Sequence, residues 1–167
     1  MKDKNELKVL AKNYFLARQS FLSAISHDHP ELGGNDNIVG RIGEFIALQF
    51  LEANGRHVKK CEKSNNKGFD IICDKGIQIS VKTITAESKT GRSTQLKQPW
   101  QELILIYIGK NYEVETIGHI HIGDYDNARS QGFVKENQVA DKKLLEKDKL
   151  FSKFGQIYSG DSVKDYL

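Results

Sequence analysis

Residues 67–85, KGFDIICDKGIQISVKTIT, read as two short arms around Asp74-Lys75-Gly76, and only one hairpin register sorts their side chains by polarity. A three-residue loop, with Gly76 in a left-handed conformation, pairs residue 73 with residue 77. Ile71 then faces Ile79, Phe69 faces Val81 and Cys73 faces Ile77, all on one side of the sheet. On the other side Asp70 faces Ser80, Ile72 lies opposite Gln78, and Lys82 follows one step further along. A two-residue loop would pair Ile71 with Ser80 and Cys73 with Gln78, mixing apolar and polar groups on each face. A one-residue slip moves every side chain to the opposite face, so the hydrophobic pattern selects the three-residue loop.

That register carries Asp70, Ser80 and Lys82 on one face, with the Asp70 and Ser80 Cβ atoms about 5 Å apart. A carboxylate near a lysine across a hairpin suits a metal-binding site. It suits an ordinary surface salt bridge equally well.

The elements before the hairpin are helical. Leu7, Leu10, Ala11, Tyr14, Ala17, Phe21, Leu22 and Ile25 recur at helical spacing, which predicts an amphipathic helix over 4–26, ended by Pro30 and the Gly33–Gly34 pair. A second helix is expected from a cap at Asn35 or Asp36 to Asn54, with Gly55 as its stop. Val39, Ile42, Ile46 and Phe50 line one side of it, while Glu44 lies on the other among Ala47, Leu48 and Leu51. A helix apolar on both sides tends to be buried. Arg41 can pair with Glu44 at a wet edge, or the carboxylate is held inward. Gly40 and Gly43 are expected to permit close packing of this helix.

Strand-like runs follow: RHVKKC, GFDIIC, IQISVKTI, ELILIYIG and YEVETIGHIHI. Past Gly123 the pattern weakens, with short helices expected around 124–131 and 139–150. Helices, then strands, then minor helices predict an α/β fold with a central mixed sheet flanked by helices.

Glu44 on a helix, GFD ending at Asp70 and SVK ending at Lys82, in the order helix, strand, hairpin strand, strand, together resemble the PD-(D/E)xK nuclease superfamily over roughly residues 36–122. The resemblance implies a restriction-endonuclease-like core and Mg²⁺-dependent phosphodiester hydrolysis, with Mn²⁺ as a substitute. It implies Asp70 as the central metal ligand, Glu44 as an additional acid, and Lys82 as the lysine that orients or deprotonates the attacking water. Phe69 stands where the motif has proline, and Ser80 where it has a second acid. These types make chemical sense. Attack on an anionic phosphodiester needs a hard cation held by carboxylates, and a nearby cationic donor for the charge that develops.

Ser80 departs from the pattern, because a hydroxyl is a poor substitute for a carboxylate. Three readings follow. Glu44 and Asp70 suffice, with the Val81 backbone carbonyl and water completing the shell. Alternatively a downstream acid is imported, as in members of the superfamily with serine at this position; Glu102 is the better candidate and Glu87 the weaker. Glu102 opens a strand rather than a helix, however. In the third reading the site is silent and the chain only binds DNA.

Charge distribution bears on the partner. The net charge is only +3, but residues 56–67 hold five basic residues against one acid, and residues 87–97 hold three against one. Both segments flank the hairpin and suit a polyanion, or a solvated basic face. In ESKTGRSTQLKQPW, Lys89, Arg92, Gln95 and Lys97 are types that contact phosphates and base edges, and Gln78 points to the face of Asp70. Trp100, just before ELILIYIG, reads as a core anchor rather than a base-stacking residue.

The remaining signals limit the alternatives. His119 and His121 share one strand face and can begin a zinc site. Such a site needs a third and usually a fourth ligand, and without a matching Cys/His cluster the pair reads as tiling a half-wet sheet face. GGNDNIVGRIG lacks a following Gly-Lys-Ser/Thr and a preceding strand, so no nucleotide cofactor is expected. Two cysteines, Cys61 and Cys73, make no disulfide framework, and no apolar run approaches the ~20 residues of a membrane span. The expectation is therefore a single cytoplasmic domain over 1–167, with a C-terminal extension from 123, acting as a homodimeric endonuclease on double-stranded DNA in restriction or phage defence. A catalytically silent DNA-binding or protein-interaction module, or a structure-specific repair nuclease, are the competing classes.

Overall fold

The three-residue hairpin loop is present in the computed structural model, which describes residues 3–28, 38–60, 68–73 and 75–167. Ile71 pairs with Ile79 and Ile72 with Gln78. Gly76 has φ 74°, and its N–H donates to the Cys73 carbonyl at 2.8 Å. The register chosen by polarity is therefore the one formed.

In chain order the elements are α1 (Lys4–Asp28), α2 (Ile38–Ala53), β1 (Val58–Lys60), β2 (Ile71–Cys73), β3 (Gln78–Thr85), β4 (Arg92–Gln95), β5 (Glu102–Ile108), β6 (Val114–His121), α3 (Ile122–Ser130), β7 (Val139–Asp141), α4 (Leu150–Phe154) and β8 (Gln156–Ser159). The main sheet has the order β1-β2-β3-β5-β6-β8, and β4 pairs with β7 in a separate two-stranded sheet. β3 and β5 are parallel, while the other neighbours are antiparallel. The architecture is α/β with a mixed central sheet, as the element pattern predicts. Parallel neighbours need a crossover, and residues 86–101 supply it, with β4 inside.

The sheet separates two cores. On one face Ile71, Ile79, Val81, Ile104 and Ile106 pack with Ile42, Ile46, Ala47 and Phe50 of α2 and with Ala11 and Phe15 of α1. On the other, Ile84, Leu103, Leu105 and Tyr107 pack with Trp100, Tyr125, Leu144 and Phe151. β5, buried along its whole length, serves both cores. Gly43 sets the approach of α2, since a Cβ there would lie 1.6 Å from Thr83 Oγ1. Gly40 has nothing within 4 Å, so the close packing expected of both glycines belongs to Gly43 alone.

Several expectations are corrected. Leu7 and Leu10 are exposed at 38% and 43%, and α1 is anchored instead by Ala11 and by Phe15, which stacks on Tyr112 at 5.0 Å. Phe69 does not follow Ile71 into the α2 core but packs against the opposite cluster. The strand pleat begins only at Ile71, and Gly68 has φ 104° where the chain runs against Pro99. Residues 139–150 form β7 and a short 3₁₀ turn rather than a helix. The pairing of β4 with β7, and strand β8, were not anticipated. The caps proposed at Asn35 and Asp36, the Pro30–Gly34 stop, Cys61 and Asp74 lie outside the described residues, as do the side chains of Phe21, Leu22 and Ile25. No helix among the described residues is long and apolar enough to cross a membrane.

Candidate active site

β2 begins only at Ile71 while the facing β3 runs on to Thr85, and among the described residues no strand pairs with β3 on that side beyond Ile79. Asp70 fills the first gap with its side chain. Its Oδ2 accepts the Val81 N–H at 2.7 Å and lies 3.5 Å from the buried Ser80 hydroxyl. A strand residue projects N–H and C=O to the same edge, so the Val81 carbonyl is directed to the side where Asp70 sits. Asp70 Oδ1 makes no hydrogen bond among the described residues.

Lys82 follows on the same pleat face as Ser80 and is half-buried. No ion pair joins it to Asp70, so the salt bridge that the hairpin alone allowed does not form. Gln78 lies on this face as well, its backbone clamped by Gln101 through the side-chain oxygen and the main chain, each at 2.8 Å.

Glu44 is half-buried on α2, next to Gly43, while Arg41 is exposed. Helix α2 covers the face of Val81 and Thr83, opposite to that of Ser80 and Lys82.

Neither downstream acid is brought to Ser80. Glu87 accepts the Tyr112 hydroxyl at 2.7 Å and pairs with Arg18. Glu102 does open a strand, beside Ile79 on the α2 face, and is 2% exposed. Its Oε2 receives Arg56 at 2.5 Å and contacts His119 Nε2 at 2.9 Å; its Oε1 lies 3.5 Å from His121 Nδ1. Burial alone would push this carboxyl up, but hydrogen bonds and charge from His119 and Arg56 outweigh it and hold it at about 2. Sequence reasoning noticed the histidine pair but not its third donor. Glu102 pairs with His121 across β5 and β6, and only the register of that hairpin reveals it.

The polar crossover also divides. Arg92 pairs with Asp141 at 2.9 Å and Gln95 bonds Asn137 at 2.9 Å, so both tie β4 to the β7 segment. Asp141 is pushed up by burial, but the Lys143 N–H and Arg92 more than reverse this and lower it. Lys89 and Lys97 are exposed. Trp100 is buried against Tyr125, as a core anchor.

The fold defines a mixed-sheet α/β protein with a polar cluster at Asp70, just before β2, beside Ser80 and Val81 of β3. Compared with protein-family models and with curated proteins, the chain gives no match.

Proposed function

We propose that the chain is a Mg²⁺-dependent DNA endonuclease of restriction-endonuclease-like fold, acting in restriction or phage defence. One observation carries this reading: Asp70 bonds β3 at Val81 beside the buried Ser80, Lys82 is the next residue along the strand, and among the described residues no ion pair joins that half-buried lysine to the aspartate. Leaving a half-buried cation near an acid without closing the pair forgoes the simplest stabilising use of both.

The donors at this edge are hard oxygens, which fit Mg²⁺ better than a softer metal. Asp70 Oδ1 and the Val81 carbonyl would hold it, with Glu44 as the further acid. A bound Mg²⁺ would lower the pKa of a coordinated water and offset charge on the phosphodiester. Asp70 Oδ2 keeps the strand edge in place through the Val81 N–H. Lys82 orients the attacking water and donates to the phosphate oxygens as their charge grows. One site per chain makes a two-fold dimer the natural unit for cutting both strands.

A silent DNA-binding module is the second reading, favoured by the engagement of Glu87 and Glu102 elsewhere, which leaves the Ser80 position neutral. Plasmid nicking separates the two. Cleavage in Mg²⁺ or Mn²⁺ that collapses in Asp70→Asn and Lys82→Ala, while DNA binding persists, supports the nuclease. Binding without cleavage in either metal overturns it in favour of the module.

A further inference from the structure

On the α2 face, away from Asp70, the geometry points to a second and chemically different metal site: a Zn²⁺-class ion held by Glu102, His119 and His121. One ligand atom from each residue lies within 4.8 Å of the others. Zinc bonds of 2.0–2.2 Å place tetrahedral ligands about 3.3–3.5 Å apart. Glu102 Oε1 and His121 Nδ1 already stand at 3.5 Å, and His119 Nε2, 2.9 Å from the other oxygen of the same carboxylate, completes the set through side-chain rotation.

The donor set argues for the metal class. Two imidazoles and a carboxylate suit zinc or a similar first-row ion and serve Mg²⁺ poorly. His119 must present an unprotonated Nε2, which the neutral ring does by carrying its one proton on Nδ1. Arg56 can keep Glu102 Oε2 and orient the carboxylate while Oε1 turns to the ion.

Access and rigidity fit as well. Glu102 is buried and His119 is 12% exposed, with the ring edge against Phe50, whereas His121 is 62% exposed and opens the cluster to solvent. An ion pair between Glu102 and Arg56 has no need of His121. Its convergence on the same carboxylate is what a third ligand would supply.

The inference does not rest on the nuclease reading, since the two sites share no residue. Metal-stripped protein titrated with Zn²⁺ by calorimetry, with Co²⁺ absorption as a coordination readout, tests it. One ion per chain is expected at micromolar affinity, undiminished by millimolar Mg²⁺. His121→Ala, at an exposed position that leaves the fold intact, should weaken binding at least tenfold and shift the Co²⁺ bands. His119→Gln should do the same, with circular dichroism confirming the fold. Absence of Zn²⁺ binding overturns the inference. So does binding that the His121 variant leaves unchanged, which would put the ion elsewhere on the chain.

Discussion

The Asp70 carboxylate accepts the backbone N–H of Val81 at 2.7 Å, standing in for the ladder bond that β2 no longer provides. This relationship gives the aspartate a structural duty separable from any chemical one. Asp70→Asn keeps an acceptor oxygen, so its thermal midpoint should stay close to wild type while Mg²⁺-dependent cleavage falls by at least a hundredfold. Asp70→Ala leaves the Val81 amide without its partner and should cost about 1–3 kcal/mol in denaturant unfolding. Equal stability losses in both variants would show that charge, not hydrogen bonding, holds the edge.

Among the described residues Lys82 makes no ion pair. Lys82→Ala should therefore change stability by no more than about 1 kcal/mol, yet lower the cleavage rate about a hundredfold. Single-turnover kinetics and chemical denaturation on the same preparation check both halves.

Gly43 is the position where α2 and β3 come closest. Gly43→Ala should destabilise by about 1–3 kcal/mol, because the new methyl lies 1.6 Å from Thr83 Oγ1. Adding Thr83→Ala should restore part of this loss and not all, since the Thr83 Cβ would still be 2.8 Å away. A double-mutant cycle from urea unfolding measures the coupling.

Acid should reach the protein through Glu102. Its carboxyl is held at about 2 in the fold against an ordinary 4.5, so its contribution is fully present above 4.5 and is lost as pH falls toward 2. Metal-free wild type should lose unfolding free energy more steeply across that window than Glu102→Gln does. Parallel slopes in a pH series of urea titrations would contradict the low value.

The crossover separates by role. Lys89 and Lys97 are exposed, while Arg92 is tied to Asp141. If the loop meets DNA, the double variant Lys89→Ala/Lys97→Ala should reduce the slope of log K against log salt by about 2. Fluorescence anisotropy at several salt concentrations reads this directly.

What was legible beforehand follows from periodicity. The hairpin register, α2 with its Gly55 stop, the buried strand β5 and the core role of Trp100 all rest on local alternation or local capping, which a linear string carries. The shared face of Ser80 and Lys82 is of this kind, since a pleat of period two places them without reference to the rest of the chain, whereas Asp70 lies just outside β2 and bonds the strand edge. The sequence alone also located the histidine pair on one strand face.

Other features depend on which strands become neighbours. Glu102 was the better candidate for an imported acid; parity in the parallel pairing puts it on the opposite face from Ser80, between Arg56 and the histidines. Phe69 left its expected face because β2 begins only two residues later and the positive-φ Gly68 just before it redirects the chain. β4 and β7 have little hydrophobic alternation, and they pair where the crossover brings Arg92 to Asp141. Pairings across the fold depend on packing energies summed over many residues, and no local pattern encodes them. Whether a carboxylate replaces the one Ser80 lacks is such a question. In the structure Glu87 is bonded to Tyr112 and Glu102 to Arg56 and His119, so Glu44 on α2 is the further acid of the proposed site.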